Sequence, residues 1–101
     1  MGQQSAGGLL QNPVIQKSIR RLKKMGLKVY VQEMDEDSIV MVVDSKSIIE
    51  TVRRMTDRAI TYPKHYVHVD EANNALIIAC WRGGEPEWVQ RLKSQALMKS
   101  R

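Results

Sequence analysis

Apolar residues along this chain switch between helical and strand-like spacing, and each switch marks an element. Ile15, Ile19, Leu22 and Met25 recur at three- and four-residue intervals, which places them on one stripe of a helix. Asn12-Pro13 supplies an N-cap and a first-turn proline, and Gly26 supplies a stop. Residues 27–33 and 38–43 then read as a hairpin around the acidic turn Met34-Asp-Glu-Asp37. The second strand is apolar on both faces, with Ile39, Met41 and Val43 against Val40 and Val42, so it should be central or covered. A second helix follows, capped by Asp44-Ser45 or by the box Ser47-x-x-Glu50, with Ile48, Ile49, Val52, Met55 and Ala59 as its core side.

Residues 60–69 predict a third strand, which Pro63 confines to an edge or breaks. Asp70-Glu-Ala-Asn-Asn74 is the turn, residues 75–82 the fourth strand, and Gly83-Gly84 its end. Glu85-Pro86-Glu87 opens a last helix with acids in the first turn, where the helix dipole favours them. Its apolar side is Trp88, Val89, Leu92 and Ala96, and Lys99 and Arg101 suit its C-terminal end. The order α-ββ-α-ββ-α predicts an α+β fold, a four-stranded antiparallel sheet backed by helices on one face. Residues 1–12 read as a flexible N-terminal tail and 13–101 as a single domain.

Within that order lies an echo. Lys28-Val-Tyr30-Val-Gln32 returns 36 residues later as Lys64-His-Tyr66-Val-His68. Each copy follows a basic helical segment, Arg20-Arg21 or Arg53-Arg54, and precedes a strongly apolar run, so residues 14–43 and 47–79 form a possible internal repeat. Alternate strand side chains share a face, so Lys28, Tyr30, Gln32, Lys64, Tyr66 and His68 should project together from the outer side of the sheet. The small Ala75 and Ala79 leave room above the fourth strand, which places Trp81 on that side, with Arg82 at its margin. Three aromatics flanked by cations would make a stacking platform for a single-stranded nucleic acid. The bland alternatives are strand packing, which favours Tyr and Trp in any case, and a protein or homodimer interface.

Composition narrows the class. A chain of 101 residues and 11.6 kDa, 43% hydrophobic, supports one modest core. One cysteine, Cys80, cannot close an internal disulfide, which fits a reducing cytoplasm; inside an apolar run it reads as a core residue. No apolar stretch approaches a membrane span, no signal-peptide pattern is expected, and Ala6 stands where a myristoylation signal wants Ser or Thr. The net charge is +5, unevenly distributed. Residues 1–30 carry Lys17, Arg20, Arg21, Lys23, Lys24 and Lys28 without an acid, while the rest holds ten cations against eleven acids. A local excess of this kind attracts polyanions, and Arg20, Arg21, Lys24, Arg53, Arg54 and Arg58 could extend a basic track if they reach the rim of the platform. Duplex binding through the first helix is a further possibility.

Catalytic and metal chemistry find little purchase. His65 and His68 are three apart, on opposite faces of a strand, so they cannot jointly hold a metal there. Asp35-Glu36-Asp37 and Asp70-Glu71 are explained by turn chemistry. No catalytic triad, zinc-finger spacing or RRM-type signature occurs, so neither an enzyme nor a cofactor is expected.

The combination of Lys28-x-Tyr30, Lys64-x-Tyr66, Trp81-Arg82 and the arginine pairs on a small basic α-ββ-α-ββ-α chain resembles the ThermoDBP-related archaeal single-stranded DNA-binding proteins. The resemblance covers residues 13–101 at the level of topology and chemistry. It implies sequence-tolerant binding of single-stranded DNA rather than RNA, without a metal, by a homo-oligomer. It transfers no site residues, which here come from strand alternation alone.

Overall fold

A computed structural model describes residues 8–44 and 49–99; side chains of residues 49 and 96–99 are outside that description. A short 3-10 turn, Leu9–Gln11, leads into α1 (Pro13–Lys24). Then come β1 (Lys28–Asp35), β2 (Ser38–Asp44), α2 (Ile49–Ala59), β3 (His65–Asp70), β4 (Ala75–Trp81) and α3 (Glu87–Lys99). The four strands form one antiparallel sheet in the order β1-β2-β4-β3. The α+β class and the order of elements are those the hydropathy pattern predicts.

The ends of α1 show why local sequence sets its bounds. The Asn12 side-chain oxygen accepts from the backbone N–H groups of Val14 (2.8 Å) and Ile15 (3.4 Å), satisfying two of the donors a helix start leaves orphaned. At the other end Gly26 takes φ +89°, a left-handed value that glycine adopts cheaply. Its N–H donates to the Lys23 carbonyl and that of Leu27 to Leu22, the Schellman pattern. The proposed caps of α2 involve residues 45–48, which lie outside the described residues.

Three details differ from the sequence reading. Leu9, assigned to a tail, is fully buried, and its N–H donates to the Glu36 carbonyl at 2.9 Å; with Leu10 packed beside it, the apolar pair is drawn into the core. The third strand begins at His65, not at residue 60. Residues 61–64 carry no strand pairing, consistent with a proline that cannot donate to a ladder, while Ile60 and Tyr62 still pack into or against the core. The helices, finally, are not all on one face.

Strand register fixes the faces. Val29, Val43, Leu76 and Val69 form one row, and Val31, Met41, Ile78 and Val67 the next. These rows meet Ile15, Ile19 and Leu22 of α1 and Val52 and Ala59 of α2 in the main core. We call this the inner face. The opposite, outer face carries the rows Tyr30–Val42–Ile77–His68 and Gln32–Val40–Ala79–Tyr66, with Trp81 opposite Ser38. A second, smaller cluster lies there: Ala79, Trp81 and Val89, with Tyr66 and Trp88 against it. Val89 and Trp88 belong to α3, so α3 crosses the outer face over the β3–β4 half. The structure is three-layered, with α1 and α2 on one side of the sheet and α3 on the other.

Candidate nucleic-acid interface

The outer face carries the residues that strand alternation assigned to it, but α3 divides them. Beneath the helix, Trp81 is 7% exposed and His68 5%, and Tyr66 is half-buried against the small cluster. Lys93 of α3 places its Nζ 5.4 Å from the Tyr66 ring centroid and 5.7 Å from that of Trp81, within cation–π range. The same ammonium donates to Glu85 Oε1 at 2.7 Å, and the Trp88 indole N–H donates to Ser38 Oγ at 3.3 Å. The expected open platform of Tyr30, Tyr66 and Trp81 therefore does not exist in this arrangement. Tyr30 and Tyr66 also sit on the two opposite edge strands, so the echoed segments occupy equivalent places at far sides of the sheet.

The uncovered half belongs to β1 and β2. Tyr30 is 58% exposed and Met34 43%, Lys28 and Gln32 are exposed, and Val40, Val42 and Ile77 are half-buried. Met34 stands at a register shift between Glu33 and Asp35, a bulge that re-aims its side chain. Where this surface meets the flank of α3 there is an open groove of about 280 Å³, lined by Met34, Val40, Ile77, Trp88, Arg91, Leu92 and Gln95. That is near the lower limit of roughly 300 Å³ for ligand sites, and its lining is an apolar floor with an indole on one wall and a guanidinium beside it. Met34, Arg91 and Gln95 were not singled out by sequence. The signal was present in the i, i+3, i+4, i+7 spacing of Trp88, Arg91, Leu92 and Gln95, which gives α3 a second face beside the one that anchors it.

Cations near this surface are mostly engaged. Arg82 Nε donates to Asp37 Oδ1 at 2.8 Å and its Nη2 to the Glu36 carbonyl at 3.0 Å, so it closes the end of the β1–β2 hairpin. Lys64 donates to the Gly83 carbonyl at 2.7 Å. Arg91 lies 3.4 Å from Glu87, both well exposed, a pairing of little energetic weight. Lys28 faces Asp44 across the β1–β2 ladder.

The remaining predicted cations are on the other side of the molecule. Arg20, Arg21 and Lys24 belong to α1, and Arg53, Arg54 and Arg58 to α2, both packed on the inner face, so the sheet separates them from the aromatics. They do not extend the groove. Lys17, Arg20, Arg21 and Lys24 instead make one stripe at i, i+3, i+4 and i+7, diametrically opposite the buried Ile15, Ile19 and Leu22. Like charges at these spacings cost about 0.2–0.5 kcal/mol per pair. Among the described residues no carboxylate lies within ion-pair distance of any of the four; on α2 Arg53 pairs with Glu50 at 3.5 Å.

Cys80 is fully buried on the inner face, and burial pushes its thiol up to about 12, where it behaves as a small apolar side chain. His65 lies opposite Cys80 and His68 opposite Ile77, on the two different faces that alternation requires. Among the described residues no three His, Cys, Asp or Glu side chains converge as a metal site, and no helix is long and apolar enough to cross a membrane.

Comparison with protein-family models, with curated proteins and with solved structures finds no match to this chain.

Proposed function

We propose that this chain is a non-enzymatic binder of single-stranded nucleic acid, DNA in the first instance, that takes bases on the β1–β2 half of the outer sheet face and in the adjoining groove under α3. The observation that carries the reading is an exposed tyrosine on the same sheet face as an open apolar groove walled by Trp88 and edged by Arg91. In this reading Tyr30 and Trp88 offer ring faces, Met34, Val40 and Ile77 the apolar floor, Gln32 and Gln95 amide edges, and Lys28 and Arg91 phosphate contacts. Base–aromatic stacking is worth about 1–3 kcal/mol per base and is indifferent to sequence. With two cations available to phosphates, Arg91 at the groove and Lys28 on the sheet face, the salt dependence should be shallow, a log–log slope of about −1.4 at roughly −0.7 per neutralised phosphate on a single strand.

A second reading has its own support: Lys64, Arg82, Arg91 and Lys93 are already engaged by carbonyls or carboxylates. A surface with its cations neutralised suits a protein partner, here a second copy docking Met34, Val42, Ile77 and Leu92 against the same patch. Anisotropy titration of a labelled single-stranded oligonucleotide at two salt concentrations, with mass measurement of the free protein, separates the two. Saturable binding lost in Tyr30→Ala and Trp88→Ala supports the groove. A concentration-dependent dimer with no binding at low salt supports the docking surface and overturns the first reading.

A further inference from the structure

The groove leaves the basic stripe of α1 unused. Lys17, Arg20, Arg21 and Lys24 run along the outward side of α1 without an ion-pair partner among the described residues, and no acid occurs anywhere in that helix. Arg54 and Arg58, one turn apart on α2, stand exposed in the same layer. Neither α1 nor α2 contains an aromatic residue. We infer that the outward side of the α1–α2 layer is a second binding surface, for the phosphate backbone of double-stranded nucleic acid, independent of the groove and separated from it by the sheet.

Three considerations select this partner. Like charges concentrated at i, i+3, i+4 and i+7 repel one another, and a polyanion relieves that repulsion. Single strands owe much of their affinity to stacking, for which this layer offers no ring, so its affinity must follow charge density. Duplex has the higher density, one charge per about 1.7 Å of axis. The stripe from Lys17 to Lys24 is rigid and about 10 Å long at 1.5 Å per residue, so it faces several phosphates at once. Because the two surfaces lie on opposite sides of the sheet, one molecule can hold a duplex on α1 and a single strand in the groove, as at a junction between paired and unpaired regions.

The test uses the full chain and a blunt, fully paired oligonucleotide, titrated by anisotropy over a salt series. Four cations at roughly 0.9 per neutralised phosphate give an expected slope of about −3.6 for duplex. Lys17→Gln/Arg20→Gln/Lys24→Gln should flatten it by about 2.7 and weaken duplex binding by about tenfold or more at low salt, while circular dichroism remains unchanged. Arg54→Gln/Arg58→Gln, on the neighbouring helix, should weaken duplex binding to a smaller degree, and Tyr30→Ala should leave it alone. A duplex and a single strand carrying a donor and an acceptor dye should show energy transfer only when the protein is added. The inference is overturned if the wild-type chain does not bind duplex at low salt, or if the folded triple variant binds it with an unchanged slope. Loss of duplex binding in Tyr30→Ala would equally overturn it, because both ligands would then share the groove.

Discussion

The two faces of the sheet are built from equally apolar strands yet are closed to different degrees. On the inner face two amphipathic helices bury the central strands, so that Ile39, Met41, Val43, Leu76, Ile78 and Cys80 have no exposed surface, while Val29, Val31, Val67 and Val69 on the edge strands are partly buried. On the outer face one helix covers half, resting on Val89, on the Trp88–Ser38 hydrogen bond and on Lys93 over the Tyr66 and Trp81 rings. Burial is complete on the two central strands of the inner face, because the apolar stripes of α1 and α2 meet apolar rows there. The outer face mixes valines with tyrosine, glutamine and lysine, so the same pleat yields a surface that water, a base or a partner can reach. One strand pattern thus closes the centre of the sheet on one side and leaves half of it open on the other.

The largest expected contrast is chemical. With its thiol pushed to about 12 from an ordinary value of 9.0, Cys80 holds roughly 10⁻⁴ of its population as thiolate at pH 8. Alkylation of the folded chain should be about a thousandfold slower than of the denatured chain, and equal rates would mean that the inner face opens. Because the folded state binds this proton more tightly, its contribution to stability is complete below pH 9 and is lost as pH rises through 12. The burial contrast comes next: Ile78→Ala should cost about 2–5 kcal/mol in denaturant unfolding. Val89→Ala, under the single outer helix, should cost about 1.5 kcal/mol at roughly 0.8 kcal/mol per methylene-sized group. Equal costs would erase the distinction between the layers.

Within the outer face, the echoed tyrosines should behave differently. Tyr30→Ala should reduce single-strand affinity by roughly five- to 150-fold, the equivalent of one stacked base, with little change in stability. Tyr66→Ala should lower the melting temperature and change affinity only secondarily, since its ring lies under α3. Similar binding losses with unchanged stability in both would mean that α3 lifts away from the sheet when the ligand binds. The smallest effect concerns the charged stripe. Lys17→Glu replaces two like-charge pairs by favourable ones with Arg20 and Arg21 and should raise stability by about 1 kcal/mol while weakening duplex binding.

Much of this was legible in residues. Asn12-Pro13 and Gly26 bounded α1 because capping is local chemistry, and period-two alternation put Lys28, Tyr30, Gln32, Tyr66, His68 and Trp81 on one face because a strand allows no other arrangement. Sheet order was less accessible: nothing in the echo says that its two copies lie on opposite edges, since strand order depends on which apolar rows pack centrally. The place of α3 was the main misreading. Trp88, Val89 and Leu92 announced an apolar side, but with two faces available the sequence could not say which one it meets. Ala75 and Ala79 were read as leaving room above the fourth strand, and over Ala79 that room is filled by Val89 and Trp88. The groove was missed for the same reason, because it exists only where α3 stops covering the sheet.

The central claim is that bases enter at Tyr30 and the groove beneath the flank of α3. Two-dimensional amide NMR of the labelled full chain, titrated with a short single-stranded oligonucleotide, tests it most directly. The account predicts saturable shifts of the Trp88 indole N–H and of the backbone amides from Tyr30 to Met34, at moderate salt where the α1 stripe is screened. If those signals stay still while amides of α1 move, single strands bind the basic helix and the groove does not take bases.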